Sequence, residues 1–273
     1  MHHFISRIVH YAFYIALACA STIAFADKNG KHKHKPGDAA YGLLEPDVLW
    51  AAPSPDSPLP RAHEIRPIIR HVVAQQQGID VSHYQGQINW EQVAKNNNVC
   101  FVYIKATEGS NLVDDFYLRN LYGAKRAGIP VGVYHFYRPN VSVRAQFENF
   151  RSTVDPRQQN LIPIVDVEKR GKGPLSQFQS NLKAFLKLVE QYFGVKPIIY
   201  TGVNFYGEHL EGEFTGYRFM VARYAEEFPG LSEDVPIVLW QYSCTSRVSG
   251  IKGNVDRSVF LDRNSVADIM LKR

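Results

Sequence analysis

From Gln77 onward, the chain alternates short apolar runs with segments of helical periodicity. The apolar runs lie near residues 78–84, 100–106, 129–137, 161–168 and 196–202. Helical patterns fill the gaps, most clearly within 175–193, where apolar residues recur at steps of three and four before Gly194, and again at about 114–127 before Gly128. This alternation is typical of parallel strands joined by crossover helices.

The rhythm changes after residue 210, where three apolar runs follow with little helical pattern between them, at 217–224, 236–242 and 254–260. Five βα units and three further strands make eight strands, which is enough to close a barrel. A doubly wound nucleotide-binding sheet is disfavoured because no GxGxxG or GxxxxGK[ST] motif follows any strand. The sequence therefore predicts one α/β domain, a TIM-like barrel over residues 77–273.

The first 76 residues differ in character from the rest. Arg7 precedes a mostly apolar run at 8–26 that ends in "AFA", the small-x-small form of a signal-peptidase site. We predict that residues 1–26 are a signal peptide and that the protein is exported to the periplasm, the cell envelope or the medium. Membrane attachment is expected only if this segment stays uncleaved. Residues 27–76, rich in Pro, Gly and charge, are predicted to be a disordered linker.

Composition excludes some classes of partner. Removal of residues 1–26 deletes one basic and no acidic residue, so the formal net charge falls from +5 to +4. This mild positive bias suits an anionic cell envelope, but no basic helix or Cys/His finger spacing predicts nucleic-acid binding. His32 and His34 in "KHKHK" are interpreted as a solvated tail and not as a metal site. Cys100 and Cys244 remain in the mature chain, and export permits a disulfide without establishing one.

Acidic residues occur at the ends of several predicted strands. Asp166 and Glu168 end the run "LIPIVDVE", and residues two apart on a strand share a face, about 7 Å apart along the backbone. Two such carboxylates raise each other's pKa. Asp80 in "GIDVS" and Asp256 in "NVD" lie at other strand ends. Because barrels gather their functional residues at one mouth, four acids in register indicate an active site.

Aromatic side chains accompany these acids. Tyr134 and Phe136 share a face, as do Trp240 and Tyr242, and further tyrosines at strand ends are Tyr84 and Tyr200. The apolar faces of sugar rings stack on such side chains, so we predict a saccharide groove at the mouth. His83 and His135 have no partners at metal-ligand spacing and are expected to be structural.

Several motifs in order resemble family 25 of the glycoside hydrolases, the Ch-type lysozymes, over about residues 77–262. They are "GIDVSHYQGQINW", "FVYIKATEG", "GVYHFYRP", "PIVDVE", "IIYTG", "LWQYS" and "GNVDRSVF". The resemblance implies a single-domain (β/α)5β3 barrel without metal or cofactor, expected to be a monomer. It also implies N-acetylmuramidase activity, which hydrolyses the β-1,4 bond between N-acetylmuramic acid and N-acetylglucosamine in the glycan strands of peptidoglycan.

The resemblance also assigns roles to individual residues. The family's acids match Asp80, Asp166, Glu168 and Asp256, and Glu168 is implied to be the general acid that protonates the departing oxygen. We expect Glu168 to keep its proton because Asp166 has lost its own. Asp166 could orient the 2-acetamido group or position water, while Asp80 and Asp256 hold substrate or tune Glu168. Glu108 in "KATEG" is expected to shape the rim through Lys105 or a backbone turn.

Two alternatives remain at this stage. Chitinase-like barrels, including N-acetylglucosaminidases, place another Asp two residues before their DxE pair, but this chain has Ile164 there. A catalytically inactive cell-wall-binding module would not need the acids, and all four are present.

Overall fold

A computed structural model describes residues 76–272, except 97, 226–227, 229–230 and 232–234. The predicted signal peptide at 1–26 and nearly all of the predicted linker at 27–76 lie outside the described residues. Within the described part, no helix is both long and apolar enough to cross a membrane. Cys100 and Cys244, which both lie in that part, are not joined by a disulfide.

The described residues form nine strands and six α-helices. The strands are β1 (Gln77–Val81), β2 (Val99–Glu108), β3 (Leu112–Val113), β4 (Val131–Phe136), β5 (Ile164–Asp166), β6 (Ile198–Gly202), β7 (Phe219–Ala222), β8 (Ile237–Ser246) and β9 (Val255–Phe260). The helices are α1 (Trp90–Asn96), α2 (Tyr117–Arg126), α3 (Val143–Thr153), α4 (Leu175–Phe193), α5 (Val203–His209) and α6 (Val266–Ile269).

Eight of these strands close into a barrel. The hydrogen-bonded order is β1-β9-β8-β7-β6-β5-β4-β2, and a further pairing of β1 with β2 completes the ring. All neighbours are parallel except β9, which runs antiparallel to both β8 and β1. The predicted TIM-like barrel is therefore confirmed. The short β3, which pairs with the end of β2, is an addition that the sequence pattern did not predict.

Helix α4 packs against the barrel through the apolar positions that recur in its sequence. Its buried residues recur at steps of three and four and face the barrel wall; they are Phe178, Leu182, Phe185, Leu186 and Val189. Gly194 adopts a left-handed conformation at φ 72° and donates its N–H to the Glu190 carbonyl at 2.8 Å, which ends the helix. The helix predicted within 175–193 thus has the predicted bounds.

Because successive side chains of a strand point to opposite faces, the barrel strands contribute to two separate hydrophobic cores. On β1, Ile79 points outward into the core between barrel and helices, whereas Asp80 points into the barrel. The residues that fill the barrel include Phe101, Tyr103, Ile164, Ile198, Leu239 and Phe260. Since these lie toward the amino-terminal ends of the parallel strands, the carboxyl-terminal end of the barrel is left for polar side chains.

Strand β5 is shorter than predicted. The apolar run suggested a strand over 161–168, but the chain is extended in the ladder only at Ile164–Asp166. Leu161 instead pairs with Met270, and the Ile162 N–H donates to the Ile269 carbonyl at 2.8 Å. Pro163 has no N–H to contribute to a ladder. Glu168 therefore lies just beyond the strand and not within it.

Two strand glycines make room for the rings that fill the barrel. A Cβ built on Gly132 of β4 would lie 2.3 Å from the Tyr103 ring, and one built on Gly78 of β1 would lie 2.1 Å from the Phe101 ring. Both glycines are required by close packing, because neither Tyr103 nor Phe101 has an exposed side to which it could move.

We expect Gly132→Ala to lower the free energy of unfolding by about 1–3 kcal/mol, the usual effect of forcing extra volume into a packed core. Urea denaturation followed by circular dichroism measures this change. Gly173→Ala is the matched control, because a Cβ added at Gly173 would meet no atom within 4 Å. Equal stability of the two variants would contradict the packing of Tyr103 against Gly132.

Candidate active site

Polar side chains line the inner wall of the barrel where the apolar filling ends. They are contributed by nearly every strand of the ring: Asp80, Lys105, Tyr134, Asp166, Tyr200, Gln241, Asp256 and Ser258. Because side chains alternate along a strand, each of these residues points to the same face as the interior core residues of its own strand. The mouth of the barrel is therefore a ring of hydrogen-bonding and ionisable groups.

Asp80 and Asp256 face each other directly across the β1–β9 pair, where they are register partners. Asp80 is 9% exposed, and its Oδ2 accepts hydrogen bonds from Gln241 Nε2 at 3.0 Å and from Ser258 Oγ at 3.3 Å. Burial raises the pKa of Asp80 to about 7 in spite of these donors. Burial, followed by the charge of Asp80, likewise raises the pKa of Asp256 to about 7. The two carboxyls thus titrate near neutral pH.

Asp166 and Glu168 form the second pair of acids. Asp166 is 7% exposed, and its Oδ1 has no hydrogen-bond partner among the described residues. Burial, and then the charge of Glu168, holds the pKa of Asp166 well above its usual range. Glu168 presents accessible surface at the mouth, yet enough protein surrounds its carboxyl for burial to be the largest cause of its raised pKa. The charge of Lys169 and the Tyr200 hydroxyl act in the opposite direction.

The surroundings of the two carboxyls bear on the expectation that Asp166 is ionised and Glu168 protonated. Asp166 is the deeper carboxyl and has an unpartnered oxygen, whereas Glu168 is more open and has the Tyr200 hydroxyl to stabilise its charge. Desolvation penalises the charged form most where water is least available. Burial therefore favours the protonated form of Asp166 in the free protein, and which of the two carboxyls is ionised stays a prediction.

Glu108 forms the centre of an ion-pair cluster on the rim. Lys105 Nζ lies 2.6 Å from Glu108 Oε2, and Arg138 binds Oε1 of the same carboxylate. Burial alone would raise the pKa of Glu108, but hydrogen bonds and charges from Lys105 and Arg138 lower it. Both cations also lie over the Phe136 ring, at 5.2 and 4.6 Å from its centroid. The contact with Lys105 matches the rim position expected for Glu108.

The two histidines have fixed hydrogen-bond partners. His83 Nδ1 lies 2.6 Å from the buried Asp114, and His135 lies between Thr107 Oγ1 at 2.7 Å and Gln146 Oε1 at 3.2 Å. Burial lowers the pKa of His135 to about 4, so this side chain is neutral at physiological pH. Both histidines have the hydrogen-bond partners that a structural role requires. Over the described ranges, no group of His, Cys, Asp or Glu side chains could hold a metal ion.

The predicted aromatic residues divide into two groups. Tyr134 and Tyr200 lie inside the barrel among the acids, and Tyr84 is 47% exposed beside the His83 ring, at 4.0 Å between centroids. Phe136 lies under the rim cations. These four positions remain compatible with a substrate groove.

Trp240 and Tyr242 lie on the other face of β8, and the prediction that they line the groove is wrong. Trp240 is 1% exposed, its indole N–H donates to the Arg223 carbonyl at 2.8 Å, and its ring packs against Phe228. Tyr242 packs against Trp240, and its hydroxyl approaches Gln77 Oε1 at 3.4 Å. The alternation of side chains shows which residues share a face of a strand, but it does not show which face lies inside the barrel.

The residue between these two aromatics, Gln241, was missed by sequence reasoning. It is buried, and it accepts hydrogen bonds from the hydroxyls of Tyr200 at 2.9 Å and Tyr224 at 3.2 Å, while it donates to Asp80. Tyr224 and Ser258 were also missed. A polar residue among apolar neighbours in "IVLWQY" was the available signal, since a buried amide needs partners.

Comparison with known proteins gives a consistent family assignment. The family model described as "Glycosyl hydrolases family 25" matches residues 79–251. Lysozyme M1 of Streptomyces globisporus is 36% identical over 199 residues, which cover 67% of this chain and 67% of that protein. YegX of Escherichia coli K12 is 40% identical over 187 residues, which cover 67% of this chain and 68% of that protein.

Solved structures share the barrel. The bacterial lysozyme from Streptomyces coelicolor has a TM-score of 0.63 at 34% identity, over 72% of this chain and 95% of that one. A family 25 glycosyl hydrolase from Bacillus anthracis has a TM-score of 0.63 at 28% identity, over 68% of this chain and 89% of that one. With a family model that matches most of the described barrel, the chain belongs to glycosyl hydrolase family 25.

Proposed function

We propose that this chain is a lysozyme that hydrolyses the β-1,4 bond between N-acetylmuramic acid and N-acetylglucosamine in peptidoglycan, with Glu168 as the general acid. The observation that carries the assignment of the acid is the pairing of an accessible carboxyl, Glu168, with a buried one, Asp166, at the mouth of the barrel. Membership of the family and the lysozymes among its relatives support the activity.

The leaving oxygen needs a proton, because an alkoxide is a poor leaving group. Glu168 is the carboxyl of the pair that a glycan at the mouth can reach. A sugar that covers Glu168 also removes its water, which raises its pKa and draws the shared proton from Asp166 onto it. Asp166 is then left ionised beside the reacting carbon, where its charge stabilises an oxocarbenium-like transition state.

The remaining site residues serve to hold the substrate. Asp80 and Asp256 offer carboxyl oxygens to sugar hydroxyl or amide groups, and the exposed Tyr84 ring offers a stacking surface at the rim. The ionised Glu108 keeps Lys105 and Arg138 in place near the acid pair. Glycan strands of peptidoglycan are the partner, and action on a cell wall is consistent with the predicted export of a monomeric enzyme.

The buried acids of the site lower the stability of the folded protein at neutral pH. A carboxyl whose pKa is raised on folding binds more protons in the folded state, so stability falls as pH rises from the unfolded pKa to the folded one. For Asp80 and Asp256 this interval runs from 3.8 to about 7. Groups that destabilise a fold at neutral pH are retained where function needs them.

We expect Glu168→Gln to lower turnover of peptidoglycan at least ~100-fold, the usual contribution of a general acid, with the fold intact. The assay measures the fragments that purified protein releases from peptidoglycan. Glu91→Gln is the control, because Glu91 is an exposed glutamate on α1. Near-full activity of the Glu168 variant would show that the acid is wrongly assigned.

The same assay distinguishes the rival functions. New reducing ends on muramic acid are expected. Ends on glucosamine would indicate an N-acetylglucosaminidase, and binding without fragments would leave only a wall-binding module.

We expect Asp80→Asn to raise the free energy of unfolding at pH 8 by more than about 1 kcal/mol, because it removes a carboxyl that folding makes harder to ionise. At pH near 3 the gain disappears, since Asp80 is then protonated in the folded protein and largely so in the unfolded chain, where its pKa is 3.8. Urea denaturation at the two pH values measures the difference.

Asp114→Asn is the control of opposite sign. Burial alone would raise the pKa of Asp114, but hydrogen bonds from His83 and Phe116 lower it, so its charge stabilises the fold above pH 4. The variant is expected to lose stability at pH 8. A similar loss of stability in Asp80→Asn at pH 8 would contradict the raised pKa of Asp80.

A further inference from the structure

A short basic loop follows the proposed general acid at the mouth of the barrel. The segment that leads from β5 to α4 reads "VEKRGKGP" and carries Lys169, Arg170 and Lys172 directly after Glu168. We call residues 169–173 the β5 loop. It contains no acidic residue. Because it follows the carboxyl-terminal end of a barrel strand, it lies on the side of the barrel where substrates bind.

The β5 loop is held against the rim by contacts of its own backbone. Gly171 adopts a left-handed conformation at φ 77°, and a Cβ built on it would lie 2.4 Å from Asn140 Oδ1. The loop therefore packs closely against the segment that follows β4. Arg170 Nη1 donates to the Gly173 carbonyl at 2.6 Å, which joins the two ends of the loop. These contacts give the cations a defined place beside the mouth.

The charges of the β5 loop are not neutralised by nearby acids. Lys169 and Lys172 are exposed, and Arg170 is half-buried. Among the residues that the structure describes, no carboxylate forms an ion pair with any of these three side chains. The loop therefore presents hydrogen-bond donors and positive charge to whatever occupies the mouth.

The neighbouring strands extend this positive surface. Arg138 follows β4, which is the neighbour of β5 in the ring, and Lys105 lies on β2, the next strand along. These two cations share one carboxylate, Glu108. The buried acids Asp80 and Asp256 belong to β1 and β9 instead. One arc of the mouth, formed by the ends of β2, β4 and β5, thus carries an excess of positive charge.

The β5 loop acts against the proposed general acid in the free protein. Burial raises the pKa of Glu168, and the charge of Lys169 opposes that rise. Protonation of a leaving oxygen requires Glu168 to hold its proton, so a cation here has no benefit for that step in the absence of substrate. An anion bound to the loop would offset the charge of Lys169 and remove the opposition.

We propose that the β5 loop binds carboxylate groups of peptidoglycan and makes the enzyme prefer glycan that carries them. Lysine and arginine side chains bind carboxylates through charge-assisted hydrogen bonds. Two sources of this ligand occur near a cleaved bond: the stem peptides, and the lactyl group of N-acetylmuramic acid where no peptide is attached. Lys169, Arg170 and Lys172 are therefore specificity-determining residues. The inference rests on the proposed lysozyme activity.

The test uses soluble, uncross-linked glycan strands that differ in charge. One set carries stem peptides. A second set has its carboxylates converted to amides with carbodiimide and ammonia. A third has lost its peptides to an amidase, which leaves the lactyl carboxylate. The quantity compared is the ratio of kcat/KM on acidic strands to kcat/KM on amide-capped strands, because an effect of the loop on Glu168 itself acts on both substrates and cancels.

Wild-type protein is expected to prefer the acidic strands about 10-fold at an ionic strength of about 0.01 M, mainly through KM, since exposed charge pairs are least screened there. The double variant Lys169→Gln, Lys172→Gln leaves the Arg170–Gly173 contact in place and is expected to lower this ratio to about 3 or less. The charge-retaining pair Lys169→Arg, Lys172→Arg should keep the wild-type ratio.

Lys95→Gln with Lys272→Gln is the matched control, because it removes the same charge from two exposed lysines. Lys95 lies in the last turn of α1, and Lys272 follows Leu271, whose N–H donates to the Asn160 carbonyl at 2.8 Å ahead of β5. Both positions are at the end of the barrel opposite the mouth. The control should keep the wild-type ratio, and an equal fall in both double variants would overturn the proposal and assign the preference to net charge. A ratio that the Lys169 and Lys172 changes leave at the wild-type value would also overturn it.

The peptide-free strands identify the source of the carboxylate. A preference that persists on them assigns the ligand to the lactyl group, whereas a preference that disappears assigns it to the stem peptides. An effect of the loop variant that occurs only with walls that carry phosphate polymers, and not with the purified strands, would overturn the assignment of a carboxylate.

A binding measurement separates this inference from the lysozyme assignment. If wild-type protein cleaves none of the strands, the lysozyme assignment fails. Calorimetric titration of the Glu168→Gln protein with the same strands still tests the β5 loop. The Lys169 and Lys172 changes to Gln must then weaken binding of acidic strands more than binding of amide-capped strands, and equal weakening of both would contradict the proposal.

Discussion

Closure of the barrel through β9 brings together residues that are remote in the chain, and the site depends on it. Asp80 lies at the start of the domain, whereas its register partner Asp256 and its hydrogen-bond donors Gln241 and Ser258 lie near the end. An antiparallel β9 between β8 and β1 places all of these side chains on the inner wall. In an open sheet the two edges would stay apart, and Asp80 would ionise in water at an ordinary pKa.

Loss of hydration on burial is the main reason why the pKa values of the acids in the site are raised. The aromatic and aliphatic filling of the barrel lies beneath the acids and excludes water from that side. Two carboxyls with pKa values near 7 and a third raised well above its usual range keep protons available under conditions where free acids have none. The same burial opposes folding at neutral pH, which indicates selection for the reaction and not for stability.

Asp166 and Glu168 lie at different depths in the mouth of the barrel. Asp166 is the deeper of the two and Glu168 the more exposed, so burial favours the protonated form of Asp166, while Glu168 is the carboxyl proposed to protonate the leaving oxygen. In the proposed mechanism, substrate that excludes water from Glu168 raises the pKa of Glu168 and so moves the proton outward.

Local pattern was sufficient to predict the existence of the eight barrel strands, helix α4 with its Gly194 stop, and the positions of the four acids, because periodicity and capping depend on neighbours a few residues apart. The count of strands predicted the barrel, and the family motifs added its activity. The sequence pattern gave the wrong face for Trp240 and Tyr242, because the alternation of side chains allowed either face to be inside. It also missed Gln241, whose hydrogen-bond partners include a residue as distant in the chain as Asp80. By itself the sequence determined which residues share a face. Only the tertiary structure decided which face is inside and which carboxyl is the more deeply buried, because both depend on how the barrel closes.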